Sequence, residues 1–167
     1  IDVSPDKKYL LLGLKGKSSL LNIKTGRITR HFYGLWDWVE TCKYHPSGNI
    51  VAGGDDKGKV ILWNIKKNKR LAVYSLPNQA QSLQFSKNGE LLYMATVGKG
   101  KNVIQCEHII NKKNMFTWHF QGPVSSLSIT NKNEESILAY TLYYRSADYP
   151  YFNYEAHIKN IDNKKSM

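Results

Sequence analysis

The feature that most constrains this chain is a period. Four turn-like tetrapeptides stand between apolar runs: Ser4-Pro-Asp-Lys7, His45-Pro-Ser-Gly48, Ser86-Lys-Asn-Gly89 and Thr130-Asn-Lys-Asn133. Their first residues lie 41, 41 and 44 positions apart. Each follows an alternating segment, such as Val39-Glu-Thr-Cys-Lys-Tyr44 or Ser82-Leu-Gln-Phe85. Each precedes a more continuous apolar run, such as Tyr9-Leu-Leu-Leu12 or Leu91-Leu-Tyr-Met-Ala95. A repeat of this length is the mark of stacked supersecondary units, so it is considered before any single element.

A third element recurs at Ser19–Ile23, Val60–Ile65 and Val103–His108, and a fourth at Ile28–Tyr33, Leu71–Ser75 and Met115–Phe120. Each unit therefore holds four short strands, a to d in chain order. Alternation marks strands covered on one face, and continuous apolar runs mark strands covered on both. No long segment has helical periodicity. A four-stranded unit cannot bury two apolar faces alone, so neighbouring units must stack.

One stretch carries a family resemblance. Gly53-Gly-Asp-Asp-Lys-Gly-Lys-Val-Ile-Leu-Trp-Asn-Ile65 resembles the b–c turn and third strand of a WD repeat, where the turn often reads Asp-Gly and the strand often ends Trp-Asp. Here the turn is Asp55-Asp-Lys-Gly58 and the strand ends Trp63-Asn64, after the a–b turn His45-Pro-Ser-Gly48. The resemblance implies an all-β fold of β-propeller blades, each with four antiparallel strands. About four blades are expected, at 1–35, 36–78, 79–121 and 122–167, as part of a larger propeller. The start at Ile1, inside a strand-like segment, is read as a piece of a longer protein. The family's Gly-His dipeptide is absent, since Leu35 follows Gly34. Its histidine–aspartate–tryptophan network is therefore not carried over. The third unit has Cys106-Glu107 where Trp-Asp would stand, and the fourth is expected to insert a long segment between its second and third strands. The Tyr-bearing strand that leads into it is similar to the last blade of the mRNA-export and mitotic-checkpoint propellers.

No catalytic constellation is apparent, and the chain is read as a non-enzyme without cofactor, metal site or small-molecule substrate. His31, His45, His108, His119 and His157 show no metal-ligand spacing with a cysteine. Asp55 and Asp56 are adjacent in a turn, are read as turn caps and cannot form a facing acid–base pair. Gly13–Lys17 and Gly98–Lys101 are read as hairpin turns, where glycine supplies positive φ. Cys42 and Cys106 are read as buried free thiols, which fits a reducing, intracellular compartment, nuclear or cytoplasmic. No apolar run approaches the ~20 residues that span a bilayer, so no membrane partner is expected.

The net charge of +11 comes from 20 lysines against 4 arginines, alongside 14 asparagines. A pair of loop faces follows from the blade geometry: a–b and c–d turns on one, b–c turns and d–a connections on the other. Lysines occur on both. Two aromatic clusters are candidate protein-binding sites. In Phe32-Tyr-Gly-Leu-Trp-Asp-Trp38, Trp36 and Trp38 alternate, so one is expected in the core and one outside. In Tyr140–Tyr154, a loop is expected to present Tyr144, Tyr149, Tyr151 and Phe152. The chain is thus read as a scaffold for protein–protein interaction in a multiprotein complex. The alternative is a ribonucleoprotein subunit that contacts RNA through Lys66, Lys67, Lys69 and Arg70.

Overall fold

A computed structural model describes residues 1–132, 135–145 and 152–161. All regular structure among them is β. The first sheet is β1 (Asp2–Val3), β2 (Tyr9–Leu14), β3 (Lys17–Asn22) and β4 (Ile28–Tyr33), hydrogen-bonded in that order. The second is β5 (Val39–Tyr44), β6 (Ile50–Asp55), β7 (Lys59–Asn64) and β8 (Lys69–Ser75). The third is β9 (Gln79–Phe85), β10 (Leu91–Val97), β11 (Asn102–His108) and β12 (Lys113–Phe120). The fourth contains β13 (Val124–Lys132), β14 (Glu135–Arg145) and β15 (Phe152–Asn160). Every pairing is antiparallel between consecutive strands. The first three sheets are the four-stranded units of the sequence repeat, and the fourth has three strands among the described residues.

There is no single central core. Three apolar clusters lie in the seams between adjacent sheets. Strand β7 shows how the sequence achieves this. Successive side chains point to opposite faces of a strand. Ile61 and Trp63 therefore enter the seam with the first sheet, and Val60 and Leu62 enter the seam with the third. All four are at most 2% exposed. The continuous apolar run is two alternating half-patterns, each read by a different neighbour. Outer strand β8 has no such demand, and its Leu71 and Val73 stay exposed.

Trp63 fills the first seam, with its ring 5.6 Å from that of Phe32. Gly53 makes room for it: a Cβ there would lie 2.6 Å from Ser18 Oγ and 3.2 Å from the Trp63 ring. Polar contacts fasten the same seams. The Tyr44 amide donates to Asp2 Oδ2 at 2.8 Å, and the Arg30 guanidinium donates to the Ile65 carbonyl at 2.6 Å. Between the second and third sheets, His45 Nε2 lies 2.8 Å from the Gly89 carbonyl. The Ser47 amide donates to His45 Nδ1 at 3.1 Å, which leaves Nε2 to carry the proton and donate to Gly89. The imidazole also meets Phe85 edge-on, with centroids 5.1 Å apart. Gly89 combines φ of 77° with close contact to this ring, so no side chain fits there.

The fourth unit differs from expectation. The segment foreseen as an insertion is largely strand: β14 and β15 lengthen to 11 and 9 residues and pair through Arg145 and Phe152. Only 146–151 lies between them, outside the described residues. Strand-favouring residues, Thr141, Tyr143 and Tyr144 on one side and Phe152 and Tyr154 on the other, continue the ladder where the turn residues suggest an earlier exit.

Three outcomes are expected. Trp63→Ala should cost about 4 kcal/mol in denaturant unfolding, because the seam cannot close over the lost indole. Gly89→Ala should cost about 2 kcal/mol, since both the positive φ and the His45 contact oppose a methyl group. High pH should also weaken the fold. Burial pushes the Cys106 thiol up to about 12, against an ordinary 9.0, and Tyr74 up to about 12, against 10.0. Both groups ionise first in the unfolded chain, which then binds fewer protons than the fold. Stability, measured as the urea midpoint, should be level below about pH 9 and decline toward about pH 12.

Candidate interaction face

The b–c turns and the d–a connections lie together, as the geometry of stacked sheets requires. The connection between β4 and β5, residues 34–38, crosses from an outer to an inner strand at the first seam. Gly34 begins it with φ of 121°, a value that favours glycine. Leu35 pins it into the seam at 6% exposure.

Three hydrogen bonds then clamp the backbone. The Gly16 amide donates to the Asp37 carbonyl at 2.7 Å, and the Asp56 amide donates to the Trp38 carbonyl at 3.0 Å. The Trp36 amide donates to Asp55 Oδ2 at 2.9 Å. Asp55 is fully buried, and its other oxygen accepts the Lys57 and Lys59 amides at 3.0 and 2.9 Å. A single carboxylate thus closes its own turn and holds the neighbouring connection. The turn-capping role expected of it is correct as far as it goes. Among the described residues no histidine takes part and the Trp63 indole N–H has no hydrogen-bond partner, so they do not form the three-residue network of the WD repeats.

With the backbone held, the side chains of Trp36 and Trp38 project outward, 66% and 58% exposed. The expectation that one of them enters the core is therefore wrong. Alternation assigns opposite faces only within a strand, and residues 34–38 precede β5. Leu35 takes the core position instead. Neighbouring Tyr33 is also exposed, at 61%. Each ring has an ammonium over it: Lys59 Nζ is 4.6 Å from the Trp36 ring, Lys15 Nζ 5.7 Å from Trp38, and Lys17 Nζ 5.6 Å from Tyr33. Lys15 also approaches Asp37 at 3.7 Å, and Lys57 approaches Asp56 at 3.4 Å. The sequence contains all these residues, but their gathering depends on β3, β4, the β4–β5 connection and the β6–β7 turn meeting at one seam. A pairing of d–a aromatics with b–c lysines, read from the loop faces, would be the signal for it.

The other predicted groups are distributed differently. Lys66, Lys67 and Lys69 are exposed around the β7–β8 turn, which Asn64 caps by accepting the Lys67 amide at 2.8 Å. Arg70 departs from them: its guanidinium lies beside Gly34, 3.3 Å from where a Cβ would stand. Tyr144 and Phe152 belong to β14 and β15 rather than to a loop. Tyr149 and Tyr151 lie outside the described residues. A groove of about 410 Å³ opens on the opposite side of the first seam, between Tyr9, Arg30, Tyr44 and Ile65. Among the described residues, no group of three or more His, Cys, Asp or Glu side chains could hold a metal ion, and no helix is long and apolar enough to cross a membrane.

Asp55→Ala should leave three backbone donors unpaired and cost about 3 kcal/mol. Hydrogen exchange should quicken first at the amides of Trp36, Lys57 and Lys59, which separates local loosening of the clamp from global unfolding.

No family model matches the chain. It is similar to the guanine nucleotide-binding protein subunit beta of Nicotiana tabacum, with 33% identity over 79 residues, 44% of this chain and 21% of that protein. It is also similar to U3 small nucleolar RNA-associated protein 21 of Saccharomyces cerevisiae, with 30% identity over 76 residues, 45% of this chain and 8% of that protein. These matches span about a fifth or less of the relatives' length. Among solved structures, Kuenenia stuttgartiensis hydrazine synthase superposes with a TM-score of 0.78 at 14% identity, over 96% of this chain and 50% of that one, a likeness of fold. The repeating antiparallel sheets, the Asp55 turn ahead of Trp63 and these partial matches agree on an all-β fold of stacked four-stranded blades that resembles the WD-repeat β-propellers.

Proposed function

We propose that this chain is a non-catalytic scaffold that binds partner proteins through the face bearing Trp36 and Trp38, inside the cell, in the nucleus or cytoplasm. The observation that carries the reading is the pairing of a clamped backbone with two exposed indoles. Binding costs free energy when side chains and loops must be ordered. Here the connection is fixed beforehand by Leu35, Asp55 and two backbone hydrogen bonds. Tryptophan is also the residue type most often responsible for hot spots. Blades near 1–35, 36–78, 79–121 and 122–167, within a larger propeller, place this face at the first seam. The tyrosine-rich hairpin, with Tyr144, Tyr149, Tyr151 and Phe152, is a second protein-binding element in this reading.

One observation favours a second reading. A relative is described as U3 small nucleolar RNA-associated. On this chain, RNA contact would fall to the exposed turn with Lys66, Lys67 and Lys69, assisted by Arg70.

Affinity capture of the full-length protein from its own lysate, with and without nuclease, separates the two. The scaffold reading expects a set of proteins that survives nuclease and is depleted by the double variant Trp36→Ala/Trp38→Ala. A set that collapses on nuclease treatment, and that is lost in Lys66→Glu/Lys67→Glu/Lys69→Glu, would overturn it in favour of RNA.

A further inference from the structure

We propose that the segment bound on the Trp36–Trp38 face is an acidic peptide whose carboxylates alternate with apolar side chains. The proposal rests on the scaffold reading above and names the chemistry of its partner.

Charge is the first ground. Four lysines, Lys15, Lys17, Lys57 and Lys59, surround the three exposed rings, and Asp37 and Asp56 partner only Lys15 and Lys57. Lys17 and Lys59 rest over Tyr33 and Trp36 and form no ion pair among the described residues. Asp55 is buried and spent on backbone amides, and Glu40, exposed at the start of β5, forms no ion pair among the described residues. The face is left with two ammonium groups held in place by rings and open to an anion.

The placement of those ammonium groups then decides between two polyanions. Single-stranded nucleic acid binds by stacking bases on aromatic faces along a positively charged track. Here an ammonium already covers one face of each ring, and a base would have to displace it or use the other side. Two carboxylates also interrupt the track and would repel a phosphate backbone. A carboxylate needs neither change. It approaches the ammonium from the solvent side while the ring stays beneath, and the cation–π contact persists. An extended peptide lying on its edge along the face turns successive side chains to either side of its line, so acidic groups on one side can meet Lys17 and Lys59 while apolar groups on the other cover the indole edges. The ammonium groups over the rings all belong to lysine, whereas phosphate recognition favours the planar fork of arginine, and Arg70, beside Gly34, covers none of the three rings.

The test titrates the full-length protein with three labelled probes: a short peptide of alternating Glu and Leu, the same peptide with Gln for Glu, and an oligouridylate of similar length. The proposal expects the Glu–Leu peptide to bind, to quench tryptophan fluorescence and to weaken with added salt. Trp36→Ala should weaken it about thirtyfold, whereas Trp36→Phe retains most of the affinity. Lys59→Gln and Lys17→Gln should each weaken it about threefold and flatten the salt dependence. Trp36 is exposed and Lys17 and Lys59 are half-buried, and an unchanged urea midpoint establishes that each variant is folded. Equal binding of the Gln–Leu peptide, tighter binding of the oligouridylate, or indifference to the substitutions would overturn the proposal. If the Glu–Leu peptide fails to bind while Trp36→Ala/Trp38→Ala still depletes nuclease-resistant partners, the acidic class is wrong and the scaffold reading stands.

Discussion

Each inner sheet of this protein is apolar on both faces, and everything else depends on covering them. A sheet with one apolar face can settle against a single layer. A sheet with two must be sandwiched, and a row of such sheets propagates. Strand β7 shows the demand in four residues, with Val60 and Leu62 serving one seam and Ile61 and Trp63 the other. Stability therefore resides in seams rather than in units. Burial contributes roughly 25 cal/mol per Å² of apolar surface, so no isolated sheet of this size offsets the entropy of ordering its chain.

Stacking has a second consequence, at the sheet ends. Neighbouring sheets bring the b–c turn of one unit against the d–a connection leading into the next. Backbone amides and carbonyls there must be paired, because they lie partly out of water. Asp55 satisfies three amides at once, from two different loops. The stabilising groups at this seam are Leu35, Asp55 and main-chain atoms, which point inward. That frees Trp36, Trp38 and Tyr33 from structural duty and lets them face solvent. A fixed backbone under exposed aromatic groups is how a propeller can vary its partner without altering its fold.

The repeat was legible because its signals are local. Gly48 and Gly89 lie at positive φ in the expected turns, and β4 and β5 have the bounds that their alternating residues suggest. The role of Asp55 as a turn cap was also legible, though its bond to the Trp36 amide was not, since the two residues are 19 apart. The misreading of Trp36 and Trp38 came from extending strand alternation one loop too far. In the tyrosine-rich segment the strands run further than its turn residues suggest, through Arg145 and again from Phe152, while Asp148 and Pro150, on which the loop was expected, lie outside the described residues.

By itself, the sequence determined that the chain forms short antiparallel strands in units of 41 to 44 residues, because turn chemistry and side-chain alternation act within a few residues. It determined too that the units must stack, because both faces of the inner strands are apolar. Only the tertiary structure decided which groups meet at a seam. Lys17 faces Tyr33 as its partner across β3 and β4, but Lys15 and Lys59 come to lie over Trp38 and Trp36 only because two sheets meet at the β4–β5 connection. The position of Arg70 beside Gly34, away from its lysine neighbours, has the same origin. Such contacts join residues many positions apart, and the packing that creates them is a property of the stacked whole.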